Sequence, residues 1–352
     1  MISMARISLF KAFGGAVALL AGTALMPAGA QAQYHDCEFY DGSSYYPGYT
    51  ECGETAQGIG TLGTSLMGVG DAWGNQQLNV GGFAGFATPT GRLRHTNHDG
   101  LTDKTNGGST GEFEIDEASF FGNASYDLPG TYFGGKVRVS GLVGWTGMTV
   151  DNQAKTFQND VDSLIYGGSY LWSQGSFYSM SMIIGLSGET DAENLGGKYS
   201  YDISGYFTNS VMGYTFDMAG GWKFDLRGNL SHYDIKGDSF EAPGAAVPGM
   251  FIKGAAEAWS AGLTGTVFTI LEMNGGVARP YLSAQYRNVF DEDIKIRGAA
   301  TVDFEQDTNF GKLEAGYDYV VGAWTYGAAV YTEFSGDEET VGGRIGLSVK
   351  LQ

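Results

Sequence analysis

From about Gln76 to its end, the chain alternates apolar and polar residues with a period of two. The last stretch is the clearest case. Val341, Gly343, Ile345, Leu347, Val349 and Leu351 share one face; Gly342, Arg344, Gly346, Ser348, Lys350 and Gln352 share the other. Trp222, Phe224, Leu226, Gly228 and Leu230 alternate with Lys223, Asp225, Arg227, Asn229 and Ser231. Val137, Val139, Gly141, Val143 and Trp145 alternate with Lys136, Arg138 and Ser140. Tyr178, Met180, Met182, Ile184 and Leu186 oppose Ser179, Ser181 and Ser187, with Ile183 out of phase. This period puts successive side chains on opposite faces of a strand. Cutting at turn signals predicts twelve strands: 76–87, 112–127, 131–146, 160–173, 175–187, 199–216, 221–235, 256–272, 276–290, 300–319, 322–335 and 341–352. Two of them change phase. Phe113 and Ile115 are out of step with Ala118 and Phe120, and Phe304 with Leu313 and Tyr317. A β-bulge in each is expected to restore the facing.

The connections alternate in length. Short ones fall at 128–130, 174, 218–220, 273–275 and 320–321; long ones fall at 88–111, 147–159, 188–198, 236–255 and 291–299, with a shorter acidic link at 336–340. Charges collect in the long set, as in Asp291-Glu292-Asp293 and Asp337-Glu338-Glu339. Tight turns on one side and long polar loops on the other mark a transmembrane β-barrel. Tyr126, Tyr132, Trp145, Trp172, Trp222, Trp259 and Trp324 lie near strand ends, where interfacial girdles belong. The expected fold is all-β: a transmembrane antiparallel up-and-down barrel of 12 strands over residues 76–352, with both ends of the sheet on the periplasmic side. A secreted β-sandwich would alternate too, but it needs no loop-length rule.

The first residues read as an address. Arg6 and Lys11 precede the apolar run from Ala12 to Met26, and Ala30-Gln31-Ala32 offers a cleavage pattern. A signal peptide over 1–32 is expected, with Ala28-Gly29-Ala30 as an alternative site. Export exposes Cys37 and Cys52 to an oxidising compartment, where a disulfide between them is expected to contribute about 3 kcal/mol. The rest of the composition agrees with an exported barrel. There are 57 Gly and only 7 Pro, aromatics are 14% and charged residues 17%. The net charge of −19 argues against nucleic acid as a partner.

Assigning the apolar face to lipid turns Lys136, Arg138, Lys223, Arg227, Arg279, Arg287, Lys312, Arg344 and Lys350 toward the lumen, with fewer acids: Asp202, Asp225, Glu314, Asp318 and Glu333. Segment 33–75 is the reverse. It carries Asp36, Glu38, Asp41, Glu51, Glu54 and Asp71 and no Lys or Arg. Ile59, Leu62, Leu66 and Val69 recur at helical spacing within it, but glycines at 58, 60, 63, 68 and 70 disfavour an isolated helix. An acidic plug in a basic lumen is the expectation; a periplasmic tail, with the lumen charges pairing among themselves, is the alternative.

The stretch from Arg279 onward resembles the translocator barrel of autotransporters (type V secretion). Arg279-Pro280-Tyr281-Leu282 opens a strand, Val302 to Tyr319 runs into a Gly-Tyr pair, and Gly342-Gly343-Arg344-Ile345-Gly346-Leu347-Ser348-Val349-Lys350 is similar to the family's ending. The resemblance implies twelve strands, a segment threading the lumen ahead of the first, and a Gram-negative outer-membrane location. It also implies contact with outer-membrane lipid and lipopolysaccharide, and delivery by periplasmic chaperones to the barrel assembly machinery. Two departures stand out. The family ends in an aromatic residue, where this chain has Leu351-Gln352. The family also secretes a large passenger, for which residues 33–75 leave no room.

Site chemistry is sparse. The histidines are His35, His95, His98 and His232. His95-Thr96-Asn97-His98-Asp99 reads as a solvated loop rather than a metal site, and no rigid Ser/His or Asp/His pair is legible. No cofactor, no metal and no enzymatic activity are expected. Three functions remain open: a plugged pore, an adhesin acting through its loops, and a translocator for a separate partner.

Overall fold

A computed structural model describes residues 50–78, 86–99, 101–104, 112–152, 157–194, 197–241, 251–273, 275–297, 301–305, 309–336 and 338–350. The expected signal peptide, Cys37, Asp36, Glu38 and Asp41 lie outside the described residues, as do the side chains of Glu51, Cys52 and Glu54. The expected disulfide therefore lies outside them too.

The chain opens with one long helix, α1 (Thr50–Gln77). Twelve long strands follow: β1 (Phe86–His98), β2 (Phe113–Asp127), β3 (Lys136–Asn152), β4 (Gln158–Gln174), β5 (Phe177–Asn194), β6 (Gly197–Asp217), β7 (Trp222–Gly237), β8 (Phe251–Thr269), β9 (Gly276–Arg297), β10 (Asn309–Val321), β11 (Trp324–Phe334) and β12 (Glu338–Lys350). Each pairs antiparallel with its neighbours in sequence, and β12 pairs back onto β1 from Phe86↔Lys350 to His98↔Glu338. The sheet is thus closed. Lipid offers a backbone no hydrogen bonds, so closure is the only way a sheet can stand in it. Two-residue turns at Gly175-Ser176 and Gly322-Ala323 use left-handed glycines, with φ of 60° and 59°. Such hairpins require φ above zero, and a side chain there would strain them. These turns lie on the short-loop side, which we take as periplasmic. No helix among the described residues is long and apolar enough to cross a membrane.

The sequence placed the first strand at 76–87. Gln76 and Gln77 instead end the helix, and β1 begins at Phe86, in what reads as loop. The inward positions of β1 are Thr90, Arg92, Arg94, Thr96 and His98, all buried, so β1 has no apolar face to betray it.

Facing differs more deeply from the expectation. In β3 the outward positions run Val139, Val143, Trp145, then Thr149 and Asp151, while the inward ones run Lys136, Arg138, Ser140, then Met148 and Val150. Polarity inverts halfway up the strand with the backbone in regular register. The same inversion explains β2, where Phe120 and Tyr126 face out below while Phe113 and Ile115 face in above. The ladders of β2 carry no register shift, so the expected bulge is absent there. The second expected phase change falls between two separate segments, Thr301–Glu305 and β10. A true irregularity lies elsewhere, between Trp259 and Ser260 of β8, where pairing steps from Asp291 to Val289.

The cause is a change of surroundings along the barrel axis. The periplasmic half is wrapped in hydrocarbon and holds polar groups inside. The outer half projects into water and, from β2 to β9, packs an apolar core against α1, while β1 and β12 keep polar groups inside. β5 departs from this rule: Tyr178, Met180, Met182, Ile184 and Leu186 face inward, at 0–6% exposure, from just above the periplasmic turn upward, and Ser179 and Ser181 face lipid. Asp202 is outward and exposed rather than luminal, flanked by the buried Tyr201 and Ile203.

Two substitutions in β5 test this orientation. Ile184→Ala should cost about 2–5 kcal/mol by opening a cavity against the core. Ser181→Leu, on the lipid face, should leave stability unchanged or raised. Urea unfolding in lipid vesicles would measure both, and the reverse ranking would refute the facing.

Candidate functional site: the helix-filled lumen

Helix α1 occupies the lumen. At 1.5 Å per residue its 28 residues extend about 42 Å, more than the hydrocarbon thickness of about 30 Å. Its last turn lies at the periplasmic half, because Asn75, Gln76 and Gln77 meet residues near the periplasmic ends of β2, β3 and β7. Its N-terminal part meets the outer ends of β8 and β9, where Ile59 packs on Gly254 beside Ile296. The helix therefore descends from the outer mouth, with Thr50 uppermost.

Helical propensity alone would not hold this segment, since each glycine costs about 1 kcal/mol relative to alanine. Enclosure does. Ile59, Leu62, Leu66, Val69 and Trp73 are at most 1% exposed. Burial of such side chains contributes about 1.5–3 kcal/mol each. The glycines let the wall approach the helix backbone. A β-carbon at Gly63 would overlap the Tyr233 ring, and one at Gly68 would overlap the Arg92 guanidinium; Gly58 and Gly70 are crowded likewise by Asn159 and Phe207.

Ionic groups line the wall from β9 round to β2. Glu117, fully buried, forms ion pairs with both Arg92 and, at 3.0 Å, Arg94. Arg92 Nε also donates to Tyr331 Oη (3.0 Å), and Ser119 Oγ donates to Glu117 (2.8 Å). Lys312 pairs with Glu333 at 2.7 Å and Arg344 with Glu314 at 2.5 Å; Arg279 pairs with Asp318. Arg287 stacks its guanidinium over Phe310, 4.9 Å from the ring centre. Lys223 pairs with Asp217 near the periplasmic rim, where Lys136 and Lys350 are exposed. Most of these cations thus have a carboxylate within the wall itself, although Arg92 and Arg94 share Glu117. Among the described residues no salt bridge joins the wall to the helix; Asp71, half-buried, is the acidic side chain of α1 whose surroundings are described.

Hydrogen bonds from the wall, three of them from guanidinium groups, seat the helix, and Asp71 lies in the field of Lys312. Arg94 Nη2 donates to Thr64 Oγ1 at 3.3 Å. Asn123 Nδ2 donates to Gln76 Oε1 (2.9 Å), and Ser140 Oγ to Gln77 Oε1 (2.6 Å). Arg138 Nη1 donates to the Gln77 carbonyl (3.4 Å) and Arg227 Nη2 to Asn75 Oδ1 (2.5 Å). Two guanidinium groups thereby meet the negative end of the helix dipole, an arrangement worth about 0.3–1 kcal/mol each. Below lies a small polar vestibule of about 80 Å³, lined by Arg227, Arg279, Arg344, Asp225, Glu314 and Asp318.

Sequence reasoning missed Arg92, Arg94 and Glu117, the most deeply buried charges of the wall. The available signal was Arg92-x-Arg94, two cations at strand spacing. It also missed two His–acid pairs formed across strands, His95–Asp116 at 2.9 Å and His232–Glu257 at 3.1 Å.

Glu117→Gln should destabilise the barrel by about 3–5 kcal/mol, because two buried guanidiniums lose their counter-charge. Gly63→Val should prevent α1 from seating against Tyr233 and lower the temperature at which the barrel loses its compact gel mobility. Both effects are readable by heat-modifiability in SDS gels.

Comparisons with known proteins agree with this architecture. The family model described as "Autotransporter beta-domain" matches residues 126–332. The translocator domain of the autotransporter NalP from Neisseria meningitidis is similar over 82% of this chain and 98% of that one, with 13% identity and a TM-score of 0.61. The transport unit of the autotransporter AIDA-I from Escherichia coli covers 78% and 92%, at 14% identity and a TM-score of 0.58. The β domain of the Bordetella autotransporter BrkA covers 76% and 100%, at 15% identity and a TM-score of 0.56. No curated protein matches the chain. Autotransporter β-domains are outer-membrane barrels of Gram-negative bacteria, and this chain belongs to their family.

Proposed function

We propose that this protein is a self-plugged outer-membrane barrel that holds the residues ahead of Thr50 at the cell surface. The observation carrying this reading is the direction and fit of α1. Its N-terminal part lies at the outer mouth, and its glycines are in direct contact with the wall at Tyr233 and Arg92. On this reading residues 1–32 direct export and are removed. The acidic, tyrosine-rich stretch 33–49 is then the displayed element, with a Cys37–Cys52 disulfide closing it. The lumen is not a solute path while α1 is in place. Lipopolysaccharide surrounds the barrel, and the barrel assembly machinery inserts it.

Two measurements separate this from the pore reading. An epitope tag placed at Gln33 should be removed by protease added to intact cells. In planar bilayers the whole chain should be silent, and deletion of 33–75 should produce discrete conductance steps. A tag protected in intact cells would refute display; equal conductance with and without the segment would refute the plug.

A further inference from the structure

The outer ends of β1 and β2 assemble three metal-ligating side chains that the sequence keeps apart. His95 stands directly opposite Asp116 in the antiparallel ladder, and Glu114 lies two residues along β2 on the same outward face. One ligand atom from each falls within 4.8 Å of the other two, and His95 Nδ1 is 2.9 Å from Asp116 Oδ1. The histidine and aspartate side chains are 34% and 60% exposed. His98, three residues on, points to the opposite face and is 4% exposed, so residues 95–98 form strand where the sequence predicted a solvated loop.

We propose that His95, Glu114 and Asp116 form a divalent-cation site of the Zn²⁺ class. The donor set is one imidazole nitrogen and two carboxylates, and the two carboxylates balance the charge of the ion. An imidazole donor favours zinc and its neighbours over magnesium and calcium, which take oxygen ligands. Bonds of about 2.0–2.2 Å place ligand atoms roughly 3.4 Å apart around a tetrahedral ion. The present spacing reaches that by small side-chain rotations, because the ladder already fixes the β-carbons of a directly opposed pair at about 4.5–5.5 Å. Three protein donors leave a coordination position open on the solvent side. The setting is specific. Two residues toward the membrane on the same faces are Leu93, 49% exposed, and Ala118, where the lipid-facing band begins. The ion would therefore sit at the upper edge of the hydrocarbon and staple β1 to β2, beside the β12–β1 pair that closes the barrel.

The test is calorimetric titration of the full chain in detergent micelles with ZnCl₂ at neutral pH, beside His95→Ala, Glu114→Gln and Asp116→Asn. These positions are on the outward face, and retained heat-modifiability confirms that each variant is folded. His35, His98 and His232 also carry imidazoles, so the readout is the difference from the unaltered chain. One equivalent of Zn²⁺ should vanish in His95→Ala, and its affinity should fall at least tenfold in each carboxamide variant. Unchanged stoichiometry and affinity in all three would overturn the site. Loss in His95→Ala alone, with both carboxamide variants binding normally, would overturn it equally, since that marks a lone histidine.

Discussion

A backbone that crosses hydrocarbon must satisfy its hydrogen bonds within the protein, and the rest of this structure follows from that requirement. Twelve strands close on themselves, and closure fixes the width of an interior that something has to fill. A helix with ordinary side chains all round would be too thick at several points. A glycine-rich one fits, because Tyr233, Arg92 and Phe207 supply from the wall the bulk that the helix lacks. The weak intrinsic helicity of the segment is therefore a consequence of its role as filling.

The barrel meets two solvents on its outside and two environments within, and they are staggered along one axis. From β2 to β9 the outer half of the interior is apolar, whereas β1 from Thr90 to His98 and β12 keep polar groups inside. Strands such as β2 and β3 invert their polarity near mid-height. The interior electrostatics are similarly divided. Strong charges such as Glu117 with Arg92 and Arg94 are balanced inside the wall. The helix is held by amides, hydroxyls, its own dipole and the guanidinium groups of Arg94, Arg138 and Arg227.

Much of this was legible in the sequence. Period-two alternation and the long–short rule of connections predicted a closed barrel of the right strand number, and the 3.6-residue spacing of Ile59, Leu62, Leu66 and Val69 marked α1. What escaped was any feature whose surroundings were not lipid outside and polar inside. β1 was lost because its inward face is polar and its outward face includes His95 and Asn97. The facing of β5 was reversed because Ser179 and Ser181 sit in the lipid band while Met180 and Ile184 pack the core. The buried acid–base cluster and the cross-strand histidines join residues on different strands, and only the register brings them together.

The interlock between helix and wall has a kinetic consequence. Phe207 and Tyr233 project into the notches left by Gly70 and Gly63, where a side chain on the helix would collide with them. A finished cylinder cannot take up such a rod by sliding it along the axis, because every notch would have to pass rings meant for another. The rod must already be present while the staves are still being gathered, so that enclosure and threading are one event, like a cooper raising a cask around its contents.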